Sequence, residues 1–365
     1  MSEEVAEGIR RAIEERGPIT FAEFMEMALY GPGGFYVDPP VGEGAGAHFV
    51  TSPHVHPVFG SLLASGLRSM WTALGEPDPL ALVEVGAGDG TLARRLLESL
   101  QDVPVAYDGV ERSAGARGRL AELPVRVHAS LEVAPQHVTG CVFANELLDN
   151  LPFHRVRVTR TGPAEIRIGV GLGRFVEVET PCSDELAGEL RALPALPKHK
   201  ESIIPVAALH LIDRVARMVR RGYVLLIDYA ATAASGVHGY REQRVVADVL
   251  DDPGSSDITA AVDFRVIASR AAAFGLEAAG PIPQRLALDA LGFGSWTLAE
   301  RGRQTEGLAG GRGLEAVRAW AGRSEASLLV DPSGLGALQW LLLKTQNCAW
   351  PDWVETAEAM SESDR

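Results

Sequence analysis

The sequence predicts an α/β protein whose core is a mostly parallel, seven-stranded sheet covered by helices. From residue 80 onward, short β-rich runs alternate with helical stretches, which is typical of a parallel sheet with helices on both faces. One of these runs also ends in the glycine-rich turn "GAGDG" directly before a helix. The seven strands are expected at residues 80–85, 103–110, 125–127, 140–144, 223–227, 276–279 and 338–344.

The segment before the sheet is expected to be a helical cover. Its pattern predicts helices at residues 3–15, 21–29 and 58–74, the second capped by Thr20. Residues 30–57 are dense in glycine, proline and histidine and are too long for a simple connector. We therefore interpret residues 1–79 as a helical cover with a lid loop, or with a disordered segment in that place.

An insertion is expected to interrupt the sheet. Residues 153–180 alternate apolar and polar side chains through two glycine-containing turns, which indicates antiparallel strands with one solvated face. The stretch "IPVAALHLIDRVARMVRRG" is expected to be a helix that leads back to the sheet. The predicted boundaries are residues 80–152 and 203–348 for the core and 153–202 for the insertion. An acidic tail at 349–365 is expected to fray.

The composition narrows the function classes. The chain has 365 residues, is 46% hydrophobic and carries a net charge of −14. This charge disfavours a nucleic-acid partner, because phosphate binding needs a positive surface. No apolar run approaches the ~20 residues of a membrane span, and the first residues lack a signal sequence, so we expect a cytoplasmic protein without membrane insertion. The three cysteines lie far apart, and neither a disulfide framework nor a metal site is predicted.

The glycine turn fits neither of two phosphate-binding templates. A nicotinamide fingerprint requires glycine at its first, third and sixth positions, but the sixth position here is Thr91 and Asp89 lies in the turn. An aspartate would also repel a pyrophosphate. A P-loop is excluded because no lysine followed by serine or threonine closes the turn. The sequence therefore favours a cationic ligand without phosphate.

S-adenosyl-L-methionine has this chemistry, since it carries a sulfonium, an α-ammonium and a ribose diol. Glu84 precedes the glycines, and Glu111 ends the second strand, where its carboxylate can accept both ribose hydroxyls. The alternative is a tight strand-to-helix turn with a surface glutamate. The residues predicted to bind the cofactor are Glu84, Gly86, Ala87, Gly88, Gly90, Glu111 and Asn145.

A third motif supplies candidate catalytic groups. The segment "CVFANELLDNLPFHRV" brings Asn145, Glu146 and Asp149 to the edge of the sheet where ligands of α/β proteins bind. Paired carboxylates there would orient a cationic or amine acceptor for attack on a methyl group. We therefore predict Glu146 and Asp149 as catalytic residues. The alternative is that Asn145 caps a short helix and the two acids stabilise its first turn.

With these motifs, the chain resembles the MidA family of S-adenosylmethionine-dependent methyltransferases over residues 19–344. The glycine turn is generic to class I methyltransferases, whereas "ANELLDNLP" and the order of the motifs point to this family. The matching segments are "FMEMALYGPGGFYV", "HFVTSPHVHPVFG", "LVEVGAGDGTLARRLL", "YDGVERS", "FANELLDNLPFHRV", "LLIDYA", "GYREQRVVADVL", "DITAAVDF" and "DPSGLGALQWLLLK".

The resemblance implies a class I, Rossmann-like methyltransferase core with an N-terminal helical cover. A mitochondrial member of the family is associated with symmetric dimethylation of an arginine in a partner subunit. The resemblance therefore implies a protein substrate, with arginine favoured. Two alternatives stay open: an assembly factor that binds the cofactor without turnover, and a methyltransferase of a small-molecule acceptor. A nicotinamide-dependent oxidoreductase is a further alternative, and the oligomeric state is not predicted.

The lid departs from the family pattern. Where many members have Gly-Asp-Phe and Ser-Pro-Glu, this chain has His48 before Phe49 and His54 after Pro53. His54 and His56 have a spacing that can ligate zinc beside a third ligand, but we expect loop histidines that contact substrate or cap backbone groups. The candidates for the acceptor channel, several of which have core packing as an equal alternative, are Tyr36, His48, His54, Asp228, Tyr229, Tyr240 and Arg241.

Overall fold

The computed structural model describes residues 2–37, 51–197, 200–231, 236–242 and 244–363. The segment that is expected to be a helical cover contains α1 (Ser2–Arg16), β1 (Ile19–Thr20), α2 (Phe21–Tyr30), α3 (Ser52–Val55) and α4 (Val58–Ala73). The Thr20 hydroxyl accepts the Glu23 amide at 3.0 Å, and the Glu23 carboxylate accepts the Thr20 amide at 2.9 Å. This reciprocal capping box confirms Thr20 as the N-cap of α2.

The core and its insertion follow in chain order. The first half of the core consists of β2 (Leu80–Val85), α5 (Thr91–Ser99), β3 (Val105–Val110), α6 (Ala114–Leu120), β4 (Arg126–His128) and β5 (Val138–Asn145). The insertion consists of β6 (His154–Thr159), β7 (Gly162–Gly171), β8 (Arg174–Pro181), α7 (Asp184–Ala192) and β9 (Glu201–Ile204).

The second half of the core returns to the sheet. It begins with α8 (Val206–Met218) and β10 (Val219–Asp228), followed by β11 (Val237–Arg241), β12 (Arg244–Val246) and β13 (Asp257–Ala260). It ends with α9 (Phe264–Ala272), β14 (Leu276–Pro283), α10 (Gln284–Ala290), α11 (Phe293–Ala309), α12 (Gly313–Ala326), β15 (Gln339–Thr345) and α13 (Asp352–Ser363).

The main sheet has the strand order β14-β15-β10-β5-β2-β3-β4. The strands β10, β5, β2, β3 and β4 pair in parallel, and β15 is antiparallel to both of its neighbours. Each of the seven expected strands is present, so the predicted mostly parallel sheet is confirmed. The strands β2, β5, β10 and β15 are buried on both faces, which explains why each of them contains a continuous apolar run.

Alternate residues of β10 show how both faces are covered. Leu225 and Ile227 pack into the apolar layer that contains α4, α5, α10 and α13. Val224 and Leu226 pack into the opposite layer, which contains α8 and α9. Because side chains alternate along a strand, one apolar run serves two separate layers.

The insertion shares a sheet with the cover. The antiparallel order is β1-β7-β6-β9, with β8 on the other side of β7, which agrees with the predicted meander. Ile19 pairs with Ile168, and Phe21 stacks on Phe153 with ring centroids 5.3 Å apart. The pairing of β9 extends to Ile204, two residues beyond the predicted boundary. The helices α1 and α2 therefore pack with the insertion, whereas α4 packs on the main sheet.

Two expectations about the helices were wrong. The helix α8 ends at Met218, and Arg220 and Arg221 lie in β10, because Val219 already pairs with Val138 of β5. The expected frayed tail forms α13 through Ser363, with Trp353 buried against the core. Its apolar face docks while its acidic residues face outward. In the described ranges, none of the helices has the length and apolar character needed to cross a membrane.

Candidate functional site

A cavity of about 720 Å³ lies at the C-terminal ends of β2, β3 and β5, next to α3. This is the edge at which open α/β sheets bind ligands. The cavity is lined by six of the seven predicted cofactor residues, Gly90 being the exception. Of the other predicted residues, Glu146, Tyr36 and His54 line it as well.

The three glycines of the turn have positive φ angles for different reasons. A Cβ on Gly86 would lie 2.9 Å from a methyl of Leu147, and one on Gly90 would lie 2.9 Å from a methyl of Leu123. A Cβ on Gly88, at φ +55°, would meet none of the described residues within 4 Å. Packing thus requires Gly86 and Gly90, while Gly88 leaves open space beside the cavity for a ligand.

Glu111 is fixed at the cavity wall by backbone donors. Its Oε2 accepts the amide of Gly88 at 2.9 Å, and its Oε1 accepts the amide of Ser113 at 2.7 Å. Each carboxylate oxygen has a further lone pair for a hydroxyl. The arrangement fits a ribose diol, and this role of Glu111 stays a prediction.

Glu84 is buried beneath the turn. The hydroxyl of Tyr107 donates to its Oε2 at 2.6 Å. Burial raises the pKa of Glu84 to about 8 in spite of that hydrogen bond, because burial favours the neutral form of the carboxyl. A cationic ligand nearby would favour its ionised form. The pairing of Glu84 with the cofactor ammonium stays a prediction.

Asp89 faces His54, a contact that the sequence did not predict. His54 on α3 places its Nε2 3.7 Å from Asp89 Oδ1, and the same oxygen accepts the amide of Thr91 at 3.0 Å. Burial raises the pKa of Asp89, but His54 and Thr91 outweigh burial and lower this pKa to about 2. The charge in the glycine turn therefore faces His54, which is anchored by a 2.7 Å bond to the Thr51 hydroxyl.

Glu146 follows the last residue of β5 and has a φ of +51°. A non-glycine residue in this region is strained by ~1 kcal/mol or more and persists when its surroundings determine it. Its backbone amide donates to Ile227 at 2.8 Å. Its Oε1 accepts the amide of Ser52 at 2.8 Å and the side-chain amide of Asn145 at 3.0 Å. Burial raises the pKa of Glu146 above its ordinary value.

Asp149 does not share the cavity wall with Glu146. It lies buried in the short 3₁₀ helix Leu148–Asn150, and burial raises its pKa well above the ordinary value. Among the described residues, its Oδ1 has no hydrogen-bond partner. The two carboxylates predicted as a pair therefore do not line the cavity together, and a catalytic role for Asp149 stays a prediction.

Asp228 organises the loop rather than lining the acceptor channel. Its Oδ2 accepts the amides of Leu147, Leu148 and Asp149 at 3.1, 2.7 and 3.4 Å. Its Oδ1 accepts the Tyr229 amide at 2.8 Å, and burial raises its pKa to about 7. Asp228 is fully buried and lies outside the cavity wall. Asp228 therefore caps the helix at Leu148–Asn150, a role that the alternative interpretation of the sequence gave to Asn145.

The other acceptor candidates are dispersed. Tyr36 lines the cavity and stacks on Tyr30 with ring centroids 5.4 Å apart. Tyr229, Tyr240 and Arg241 lie outside the cavity wall, and Arg241 pairs with Asp252 at 3.1 Å. His48 lies outside the described residues.

Sequence reasoning missed Asp257, a buried acid whose pKa is raised by burial to about 6. It accepts the side-chain amide of Asn150 at 2.8 Å and a hydrogen bond from Tyr36. Within the described ranges, no three His, Cys, Asp or Glu side chains have the geometry of a metal site.

A family model described as "Putative S-adenosyl-L-methionine-dependent methyltransferase" matches residues 62–282. The chain belongs to this methyltransferase family. It is 30% identical over 331 residues to the protein arginine methyltransferase NDUFAF7 homolog, mitochondrial, of Drosophila melanogaster, covering 78% of this chain and 74% of that protein. It is 28% identical to the human protein arginine methyltransferase NDUFAF7, mitochondrial, over 77% and 71% of the two chains.

A crystal structure of a protein from Burkholderia thailandensis bound to S-adenosyl-homocysteine superposes with a TM-score of 0.78. The two chains are 27% identical, and the match covers 94% of this chain and 92% of the other. The resemblance to the MidA family and the class I methyltransferase fold are thereby confirmed. The protein is an S-adenosylmethionine-dependent methyltransferase, and its cavity, with open space at Gly88 and the fixed carboxylate of Glu111, fits that cofactor.

Proposed function

We propose that this methyltransferase modifies the guanidinium of an arginine in a protein substrate. The observation that carries the proposal is Glu146, a carboxylate held at the wall of the cofactor cavity. The amide of Ser52 and the side-chain amide of Asn145 donate to its Oε1, and the Ser52 side chain also hydrogen-bonds the carboxylate. We assign Oε2 to an acceptor N–H. A carboxylate is the side chain that best orients a guanidinium. The relatives named as protein arginine methyltransferases support the same acceptor.

The proposed chemistry needs only an oriented acceptor. A guanidinium nitrogen attacks the methyl carbon of the cofactor, and the bond between carbon and sulfur breaks to leave S-adenosylhomocysteine. The proton lost from the nitrogen passes to the Glu146 carboxylate and then to water. The raised pKa of Glu146 makes it a better proton acceptor than an exposed glutamate.

His54 does not argue against arginine. Its imidazole stands where many family members have a carboxylate, but it faces Asp89 on the glycine turn. The replacement therefore leaves the Glu146 carboxylate in place for the acceptor. We retain the cytoplasm as the proposed compartment, although the curated relatives are named as mitochondrial.

Transfer of labelled methyl groups tests the acceptor. Purified protein is incubated with S-adenosyl[methyl-³H]methionine and a lysate from a strain lacking the gene, and the labelled product is hydrolysed. We expect labelled methylarginine in the protein fraction. The variant Glu146→Gln should bind S-adenosylhomocysteine with unchanged affinity but transfer label about 100-fold more slowly.

Other outcomes of the labelling experiment would indicate other functions. Label in a metabolite alone would indicate a small-molecule acceptor. Label in a protein residue other than arginine would exclude arginine. Cofactor binding measured by calorimetry with no transfer of label would indicate an assembly factor without turnover.

A further inference from the structure

A chain of hydrogen bonds connects the sheet to Glu146 through the lid. The indole N–H of Trp340 donates to Gln284 Oε1 at 3.2 Å, and Gln284 Nε2 donates to the Ser52 hydroxyl at 3.3 Å. The Ser52 amide then donates to Glu146 Oε1 at 2.8 Å. Trp340, Gln284 and Ser52 are all fully buried. The chain therefore runs through the interior, where a missing bond is costly.

The orientation of the Gln284 amide is determined by its partners. The indole of Trp340 can only donate, so it identifies the oxygen of the amide. The nitrogen donates to Ser52 and also to the carbonyl of Leu329 at 3.1 Å. The backbone amide of Gln284 donates to Leu338 at 2.7 Å. Three partners thus hold the side chain in one conformation, in which its Nε2 donates to Ser52 of α3.

Ser52 is the point at which this fixed amide meets the site. It is the first residue of α3, the helix that also carries His54. If Ser52 moves, its backbone N–H no longer holds the Glu146 carboxylate. Glu146 has a strained backbone conformation that depends on such contacts.

We propose that Gln284 is a positioning residue for methyl transfer, because it holds Ser52 so that the Ser52 amide orients the Glu146 carboxylate. This inference rests on the proposed role of Glu146 at the acceptor. It does not depend on arginine being the acceptor.

Hydrogen exchange tests the geometry without any acceptor. Gln284→Leu removes both side-chain donors at similar volume. Ser52→Ala removes the hydroxyl that receives one of them and that also hydrogen-bonds Glu146. Amides in residues 51–55 and 145–150 should exchange about tenfold faster in either variant, and the double variant should add little because both changes break one link. Tyr223→Phe is the matched control, since it removes a part-buried bond to the Ala349 carbonyl in the same apolar layer without touching α3.

The kinetic readout separates positioning from cofactor binding. With the labelled cofactor and the lysate proteins described above, Gln284→Leu should lower the rate at saturating cofactor about tenfold. The KM for S-adenosylmethionine should stay within about twofold of the wild type. Tyr223→Phe should change neither value.

Two results would overturn the proposal. One is unchanged exchange of both segments in Gln284→Leu, and the other is faster exchange with an unchanged rate at saturating cofactor. If the wild-type protein transfers no label, the proposed function fails instead. The exchange of residues 145–150 then decides alone whether Gln284 positions the segment that carries Glu146.

Discussion

Replacing Gly88 by alanine should weaken cofactor binding at a small cost in stability. Gly88 has a φ of +55°, so an alanine there is strained by ~1 kcal/mol. Its methyl group would meet none of the described residues within 4 Å, and it would enter the space that we assign to the cofactor. Overlap with a well-fitted group costs ~1–3 kcal/mol, which corresponds to a loss of affinity of about 5- to 150-fold.

The chain offers a matched control for the backbone strain. Gly75 has a φ of +76°, is exposed, and likewise has none of the described residues within 4 Å of an added Cβ. Gly75→Ala should lower the unfolding free energy by a similar amount and leave the affinity unchanged. Titration calorimetry with S-adenosylhomocysteine and urea unfolding give both quantities. Equal affinity in Gly88→Ala and the wild type would refute the placement of the cofactor beside Gly88.

Three further changes test the charges and the C-terminal helix. Asp89→Asn should lower the free energy of unfolding by on the order of 2 kcal/mol at pH 7, because the pKa of Asp89 lies at about 2 rather than 3.8. In urea unfolding, this difference from the wild type should vanish as the pH falls through 2. Because burial raises the pKa of Glu84 from 4.5 to about 8, the wild type should lose stability as the pH rises across that range. The variant Glu84→Gln should lack this loss, and identical pH profiles of the two proteins would contradict a raised pKa of Glu84. Trp353→Ala should lower the unfolding free energy by ~3–5 kcal/mol, because Trp353 is buried. A change below ~1 kcal/mol would instead support the frayed tail that the sequence predicts.

The strands of the core could be predicted because burial leaves a local trace in the sequence. A strand such as β10, covered on both faces, needs apolar side chains at every position, as in Val224 to Ile227. The direction of β15 leaves no such trace, since an antiparallel strand buried on both faces has the same composition. The junction between α8 and β10 was misplaced because no glycine or proline marks it, and the arginines that follow suit a helix end as well as a strand.

The candidate site was predictable where its residues are close in sequence. The glycine turn and the segment around Glu146 are compact motifs, and both lie at the cavity. The contacts of Glu146 with Ser52 and of Asp228 with the Leu147 amide join segments that are far apart in sequence. Pattern alone does not predict such pairs. A signal did exist for Gln284, a polar residue inside the apolar stretch "PIPQRLAL", where a buried amide requires partners.

The position of β15 in the sheet affects how the protein can fold during synthesis. Until β15 has been made, the edge of β10 has no partner, and β14 cannot join the sheet, because β15 lies between them. Residues 229–338 must therefore leave the ribosome while an apolar strand edge stays open, a condition that favours aggregation or chaperone binding. Chains that stop before residue 339 should accumulate as partly folded species, and expression of shortened variants should yield insoluble protein.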